Sequence, residues 1–177
     1  LPVDTDEGFD SVPLDAATDA LERALDGDLA ARTHPVLSVS IDGEAAGRAC
    51  FDAMLVTSEP ARISEYAVET TDGTDQFRAD GVVVTTPAGS HGYARAVGGP
   101  VLDPDAGSLA VVPVAAFTVR ASSRVVSASG ALTVRVERDE GAISLLVDGD
   151  LRREVPTRQP VTVRVDGEFE TLVLPSA

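Results

Sequence analysis

Apolar and polar residues alternate in short runs along most of the chain. Successive side chains of a strand point to opposite faces of a sheet, so each alternating run predicts a strand with one buried face. The predicted strands are residues 36–41, 53–57, 63–69, 81–86, 109–114, 117–126, 132–137, 143–148, 161–166 and 171–174.

One segment near the start has helical spacing instead. Leu14, Leu21 and Leu25 fall on one face of a helix, Pro13 stands at its first turn, and Gly27 follows its last residue. Proline suits the first turn of a helix, and glycine suits the position after its end. The pattern predicts an amphipathic helix between Pro13 and Gly27.

Five acidic-residue and glycine pairs separate the predicted strands, and such pairs are a strong hairpin signal. They occupy residues 42–43, 72–73, 140–141, 148–149 and 166–167. At 177 residues the chain can bury one sizeable core, and no linker or internal repeat divides it. We therefore expect a single, mostly β domain over residues 1–177, an antiparallel sandwich or barrel.

The composition fits a sheet protein with an acidic surface. Hydrophobic residues make up 44% of the chain and aromatic residues 4%, so the core must consist of small aliphatic side chains. The formal net charge is -15, and every basic residue is Arg. We interpret this as halophilic adaptation, since molar salt screens repulsion between carboxylates. An acidic mesophilic protein with a high-GC codon bias is the alternative.

The charge also excludes classes of partner. A strongly acidic surface opposes binding to nucleic acid and to anionic lipid. No run approaches the roughly 18 apolar residues of a membrane span, and no signal peptide is visible. We expect a soluble cytoplasmic protein whose start, which lacks Met, resembles a cut. The single cysteine, Cys50, is expected to be a buried small hydrophobe rather than a nucleophile.

Residues 79–100 break the hairpin rhythm. They comprise a predicted strand, a loop of small residues and a short predicted helix. Such a loop leaves backbone N–H groups free and lets a ligand approach the main chain, as phosphate and dinucleotide sites require. A tight turn from strand to helix without a ligand is the alternative.

The residues of this segment resemble the NAD kinase signature, in which an Asp-Gly strand leads into Thr-Pro-Thr-Gly-Ser-Thr-Ala-Tyr and then Gly-Gly-Pro. The matching residues here are Asp80-Gly81, Thr86-Pro87, Gly89-Ser90, Tyr93 and Gly98-Gly99-Pro100. Further matches lie at Gly8-Phe9 with the following helix, at residues 49–52, 112–114 and 148–150. The resemblance covers essentially the whole chain. Diacylglycerol and sphingosine kinases share the two-domain plan, but Thr86-Pro87 and Gly98-Gly99-Pro100 favour NAD kinases.

The resemblance implies a fold and a division of labour. In NAD kinases this half is a β-sandwich that binds NAD and often builds the oligomer, with a short helix after the Gly/Ser/Thr loop. The other half carries a Gly-Gly-Asp-Gly loop for ATP, Mg²⁺ and catalysis, and no such loop occurs in this sequence. We therefore expect an NAD- or NADP-binding, homo-oligomeric half with no catalytic residue of its own.

The resemblance also assigns roles to individual residues. It places Asp80 near the nicotinamide, Asp52 on the adenosine side and Phe9 at the adenine. A carboxylate can accept hydrogen bonds from ligand hydroxyls, and a ring can stack on a base. The remaining expected NAD-binding residues are Thr86, Gly89, Ser90, His91, Gly92 and Tyr93. For Phe9 a plain core position is the alternative, and for His91 an ordinary loop histidine.

Some residues depart from the family pattern. Phe51 stands where the family has Asn, Ala88 replaces a Thr, and His91-Gly92 replaces Thr-Ala. These changes favour two alternatives to an NAD-binding half, a diverged nucleotide-binding module without kinase activity or a scaffold with no ligand. The acidic clusters at residues 4–8 and 103–105 lack further ligands, so we expect no metal site. His34, beside Pro35, is expected in a turn.

Overall fold

The computed structural model describes residues 1–5, 8–59, 62–117 and 122–174. The strands in these ranges are β1 Ala30–Ile41, β2 Glu44–Ala49, β3 Asp52–Thr57, β4 Ser64–Thr70, β5 Gly73–Ala79, β6 Gly81–Thr85, β7 Ser108–Val114, β8 Arg124–Ser127, β9 Leu132–Arg138, β10 Ile143–Val147, β11 Asp150–Glu154 and β12 Val161–Val173. The helices are α1 Ala17–Asp26, preceded by a 3₁₀ turn at Leu14–Ala16, and α2 Tyr93–Ala96, preceded by a 3₁₀ turn at Gly89–His91.

The strands form two six-stranded antiparallel sheets. Their orders are β2-β1-β12-β9-β4-β5 and β11-β10-β3-β6-β7-β8. One hydrophobic core joins the two sheets, with Val39 and Val134 from the first sheet and Leu55 and Val84 from the second. This sandwich of small aliphatic side chains confirms the mostly β, antiparallel prediction. In the described ranges no helix is long and apolar enough to cross a membrane.

A second, smaller core lies on the outer face of the second sheet. Val83 of β6 and Val112 of β7 are covered there by Ala94 of α2 and by Leu102. Alternate residues of β6 therefore face two different apolar layers, which explains its continuous Val-Val-Val run. This packing anchors both ends of the loop between β6 and α2.

Helix α1 begins and ends near the predicted positions. Gly27 caps it in the left-handed conformation, with φ of 81°. Its leucine stripe, however, does not face the sandwich. Leu14, Leu21 and Leu25 are 70%, 55% and 81% exposed, and the buried residue of the helix is Ala20. Ala17 and Ala24, which share a helical face with Ala20, are partly buried, so the alanine side of the helix is less exposed than the leucine side.

The turn predictions were correct at three of the five pairs. Residues 42–43, 72–73 and 148–149 connect β1 to β2, β4 to β5 and β10 to β11, which are adjacent strands. Residues 140–141 join strands of different sheets, so that hairpin prediction was wrong. Residues 166–167 lie within the continuous strand β12, where the pairing with β1 shifts between Pro35 and Leu37. A glycine with positive φ suits a bulge as well as a turn, so the sequence signal was ambiguous.

The predicted strands missed β2, β5 and β11. Each lies at the edge of a sheet and exposes both faces over much of its length, so alternation is weak. The predicted strand at 117–126 corresponds only to β8, and residues 118–121 lie outside the described ranges. His34 was wrongly expected in a turn. It lies in β1, is 3% exposed and shares a 2.8 Å hydrogen bond with Thr171 Oγ1.

Candidate functional site

An open cavity of about 630 Å³ lies where β3 begins and β6 ends. This volume is within the range of small-molecule sites. The lining residues are Gly8, Phe51, Asp52, Ala88, Gly89, His91, Gly92, Arg95 and Asp148. They come from four separate segments of the chain, so the cavity exists only in the folded domain.

The loop after β6 is tied to the segment before β3 by two threonines. Thr86 donates from its backbone N–H to Phe51 O at 2.9 Å and from its hydroxyl to Cys50 O at 2.7 Å. Thr85 Oγ1 also donates to Phe51 O, at 3.2 Å. These buried bonds fix the loop against residues 50–52, and Ser90 secures its far end by accepting a 3.0 Å hydrogen bond from Leu102 N–H.

Two glycines allow the main chains around the cavity to touch. A Cβ atom on Gly89 would lie 2.2 Å from Phe51 O, and one on Gly8 would lie 2.2 Å from Ala88 O. Real Cβ atoms do not approach backbone atoms so closely, and therefore only glycine fits at either position. The cavity wall is thus a closely packed backbone surface.

Asp148 fixes the backbone of residues 50–52, which form part of the cavity wall. Its carboxylate accepts hydrogen bonds from three successive backbone N–H groups, those of Cys50 at 2.7 Å, Phe51 at 2.8 Å and Asp52 at 3.0 Å. Asp148 itself occupies the β10–β11 turn, and its N–H donates to Asp52 O at 3.0 Å. The turn and the segment before β3 therefore form one unit.

Asp52 is the most perturbed carboxyl group of the cavity. Burial, and after it the nearby charge of Asp148, raise the pKa of Asp52 from 3.8 to about 6. Two carboxylates at one wall make a site that attracts hydrogen-bond donors, such as ligand hydroxyls. A raised carboxyl pKa in a cavity is also a common mark of a functional site.

We expect Asp52→Asn to stabilise the protein at neutral pH. The folded chain binds this proton more tightly than the unfolded chain, so stability falls as pH rises from about 4 to about 6 and stays lowered above that. Because Asp52 is partly open to water, the gain is about 1–2 kcal/mol at pH 7.5. Urea unfolding in molar KCl at pH 4 and pH 7.5 measures it. An equal difference between variant and wild type at both pH values contradicts the assignment.

Phe51 belongs to a cluster of aromatic rings. The rings of Phe51 and Phe9 are 5.1 Å apart, and Phe9 also packs against His34 at 4.9 Å and Phe169 at 5.7 Å. Burial, and after it the charge of Arg32, lower the pKa of His34, which favours a neutral ring inside this cluster. Phe51 lines the cavity, whereas Phe9 lines a neighbouring cleft.

Two basic residues also line the cavity. His91 and Arg95 line the cavity together with the backbone of Gly92. A further cleft of about 470 Å³ shares Gly8 and His91 with it, so the two openings are neighbours. The cavity thus offers carboxylate acceptors for hydroxyl groups and the Arg95 guanidinium, a cationic donor that suits a phosphate.

The structure brings together only part of the residues expected from the sequence. Asp52, Gly89, His91 and Gly92 line the cavity. The hydroxyl groups of Thr86 and Ser90 are buried and engaged inside the protein, since Ser90 Oγ donates to Pro87 O at 2.6 Å. Thr86 and Ser90 therefore shape the loop rather than face the open space.

Asp80 and Tyr93 do not line the cavity. Asp80 stands at the other end of β6, roughly 20 Å from Thr86 by the rise of a strand. Its N–H donates to Val114 O, and its carbonyl accepts from Thr57 N–H. Tyr93, the first residue of α2, is 46% exposed. Their expected contacts with NAD stay predictions.

Sequence reasoning missed the roles of Asp148 and Arg95. Asp148 was part of a matching turn, and only the fold shows that its carboxylate reaches residues 50–52 across 98 positions of sequence. Arg95 had no signal beyond its place in the helix after the loop. Among the described residues, no three His, Cys, Asp or Glu side chains lie together in a way that could hold a metal ion.

Comparisons with known proteins indicate the family of this chain. The family model of the ATP-NAD kinase C-terminal domain matches residues 51–175. The NAD kinase of Methanoculleus marisnigri is 33% identical over 130 residues, which are 72% of this chain and 47% of that protein. This chain therefore spans about half the length of the curated relatives that it matches.

Two solved structures share the fold. Yeast NADH kinase complexed with NADH has a TM-score of 0.76 and 14% identity, covering 85% of this chain and 45% of that chain. An NAD kinase from Archaeoglobus fulgidus in complex with ATP has a TM-score of 0.71 and 24% identity, covering 89% and 59%. The family match and the shared fold lead to one conclusion. The chain belongs to the ATP-NAD kinase C-terminal domain family.

Proposed function

We propose that this chain is the dinucleotide-holding half of an ATP-dependent NAD kinase, which phosphorylates the 2′-hydroxyl of NAD to form NADP. The observation that carries the proposal is the cavity of about 630 Å³ between the loop after β6 and the residues around Asp52, in a chain of this family. Its volume and its mixture of carboxylate, backbone and cationic groups suit an NAD- or NADP-sized ligand. The chain by itself does not transfer phosphate.

The proposed roles follow from the chemistry of the cavity. Asp52 accepts hydrogen bonds from ribose hydroxyls, and the backbone of Gly89 and Gly92 allows close approach of the ligand. His91 and Arg95 face the diphosphate. ATP and Mg²⁺ belong to a separate α/β half with the Gly-Gly-Asp-Gly loop, where positioning and charge stabilisation drive the transfer.

Calorimetric titration of the chain with NAD, NADP and ATP in molar KCl tests the proposal. We expect NAD or NADP to bind in preference to ATP. Asp52→Asn should weaken binding of the preferred dinucleotide roughly tenfold at pH 7.5, because a charged acceptor becomes a neutral amide. Asp139→Asn is the control, because Asp139 lies on the β9–β10 connection and does not line the cavity. Tighter binding of ATP, or no dinucleotide binding by a folded chain, contradicts the proposal.

The second candidate is a diverged, non-catalytic nucleotide-binding or scaffold module. Phe51 and Ala88 favour it, because both line the cavity and neither side chain can form a hydrogen bond. The same titration separates the candidates. Binding of an adenosine ligand other than NAD or NADP favours the diverged module, and the absence of all nucleotide binding favours the scaffold.

Self-association is part of the proposal. Asp80 lies at the far end of β6 from the cavity, so its expected contact with the nicotinamide is explained if a second copy of the chain supplies it. A homo-oligomer through the β-sandwich provides that second copy. Sedimentation in molar KCl, with and without NAD, measures the number of subunits. A cytoplasmic location is the expected setting for such an assembly.

We also propose halophilic adaptation, which predicts that stability depends on salt. With 29 acidic and 14 basic residues, repulsion at low salt opposes the compact state. Because the Debye length is about 3 Å at 1 M, the midpoint of thermal unfolding should rise by roughly 5–10 °C between 0.1 and 2 M KCl. Calorimetric scans measure it, and a constant or falling midpoint contradicts the proposal.

A further inference from the structure

Phe51 occupies a fixed place on the cavity wall. Its N–H donates to Asp148 Oδ1 at 2.8 Å, and its carbonyl accepts from Thr86 N–H at 2.9 Å. The main chain on both sides of the residue is held in the same way. The ring therefore projects from a backbone that is constrained at both its donor and its acceptor.

The Phe51 ring also belongs to an aromatic cluster. Phe9 packs against it at 5.1 Å, and Phe9 in turn packs against His34 and Phe169. His34 is held by its hydrogen bond to Thr171 Oγ1 and by stacking on Phe169 at 5.1 Å. Although Phe9 buttresses it, the Phe51 side chain remains half-buried and lines a cavity that stays open.

A phenyl ring cannot read the edge of a base. The ring has no hydrogen-bond donor or acceptor. It can stack on any base, because every base has a π face. Ala88 beside it is equally unable to form side-chain hydrogen bonds. Phe51 and Ala88 therefore offer a base only apolar contact, while Asp52, His91, Arg95 and Asp148 supply the polar side chains of the same cavity.

We propose that Phe51 is a stacking platform for the purine of the bound dinucleotide, so that this site holds the base by its face and discriminates little among purines. The inference rests on the proposed function, since it concerns the base of the same ligand. Phe51 is thus a specificity-determining residue. With Phe51 in place of the family's Asn and Ala88 in place of its Thr, the base is recognised by stacking rather than by hydrogen bonds from these two side chains.

Two measurements on the 177-residue chain in molar KCl test this inference. The first compares binding of NAD with that of nicotinamide hypoxanthine dinucleotide and nicotinamide guanine dinucleotide. We expect the three dissociation constants to agree within about fivefold, because stacking is tolerant of the base. A preference for adenine of roughly a hundredfold, which a bidentate hydrogen-bond contact to the base edge can provide, overturns the inference.

The second measurement separates stacking from apolar packing. Phe51→Leu retains a large apolar side chain but no π face, and it should weaken NAD binding roughly 5- to 100-fold. Phe51→Trp retains the face and should bind within about threefold of wild type. Phe117→Leu is the matched control, because Phe117 is 67% exposed and does not line the cavity.

The outcomes distinguish the two proposals. If wild type binds no dinucleotide, the proposed function fails and this inference fails with it. If wild type and Phe51→Leu bind NAD equally well, only the stacking role is overturned. The same holds if Phe51→Trp remains folded but loses as much affinity as Phe51→Leu. Thermal unfolding of each variant shows which variants remain folded.

Discussion

Replacing Gly89 with alanine should destabilise the domain by about 3 kcal/mol or more and abolish dinucleotide binding. The new Cβ atom would lie 2.2 Å from Phe51 O and 2.6 Å from Thr85 Oγ1. A shift of either neighbour would break hydrogen bonds, because Phe51 O accepts hydrogen bonds from Thr85 and Thr86. The loop after β6 must therefore separate from residues 50–52. Urea unfolding in molar KCl measures the change in the free energy of unfolding.

Gly141→Ala is the matched control for this substitution. Gly141 lies on the connection between β9 and β10, and its nearest neighbour to a new Cβ atom is Thr57 Cγ2 at 3.4 Å, an ordinary contact. A glycine-to-alanine change without a clash should alter stability by less than about 1 kcal/mol. Equal unfolding midpoints for the two variants would show that the loop does not pack against Phe51 as described.

Replacing Asp148 with alanine should have the second largest effect. The substitution removes the acceptor of three backbone hydrogen bonds, from Cys50, Phe51 and Asp52. Since water can reach the exposed Asp148 side chain and replace part of these bonds, we expect a loss of about 1–3 kcal/mol. Binding of NAD should weaken tenfold or more, because the segment that carries Phe51 and Asp52 loses its position. Urea unfolding and calorimetric titration measure the two effects.

Asp150→Ala provides a control in the same hairpin. Asp150 is exposed and forms a 3.5 Å ion pair with Arg152, which contributes little at a surface. We expect its stability to stay within about 0.5 kcal/mol of wild type. The Asp148 variant should also show a lower Asp52 pKa, since the Asp148 charge helps to raise it. NMR titration of the Asp52 carboxyl group follows that pKa, and an unchanged value contradicts the coupling.

Local signals predicted the elements whose stability is local. Pro13 and Gly27 mark the two ends of the helical region, because proline and glycine restrict or free the backbone at their own positions. Strands with one buried face were predicted from alternation, whereas edge strands such as β11 expose both faces and lack it. The bulge at residues 166–167 was mistaken for a hairpin because a positive φ at Gly167 serves both structures.

The sequence by itself determined the family and the small-residue loop after β6. A motif such as Gly89-Ser90 consists of adjacent residues, so it can be recognised without the fold. The tertiary structure decided which groups face the cavity. It turned Thr86 and Ser90 inward, placed Asp80 at the far end of β6 and brought Asp148 to the backbone of residues 50–52. These contacts join residues far apart in the chain, so they depend on the register and packing of two whole sheets, which no local pattern encodes.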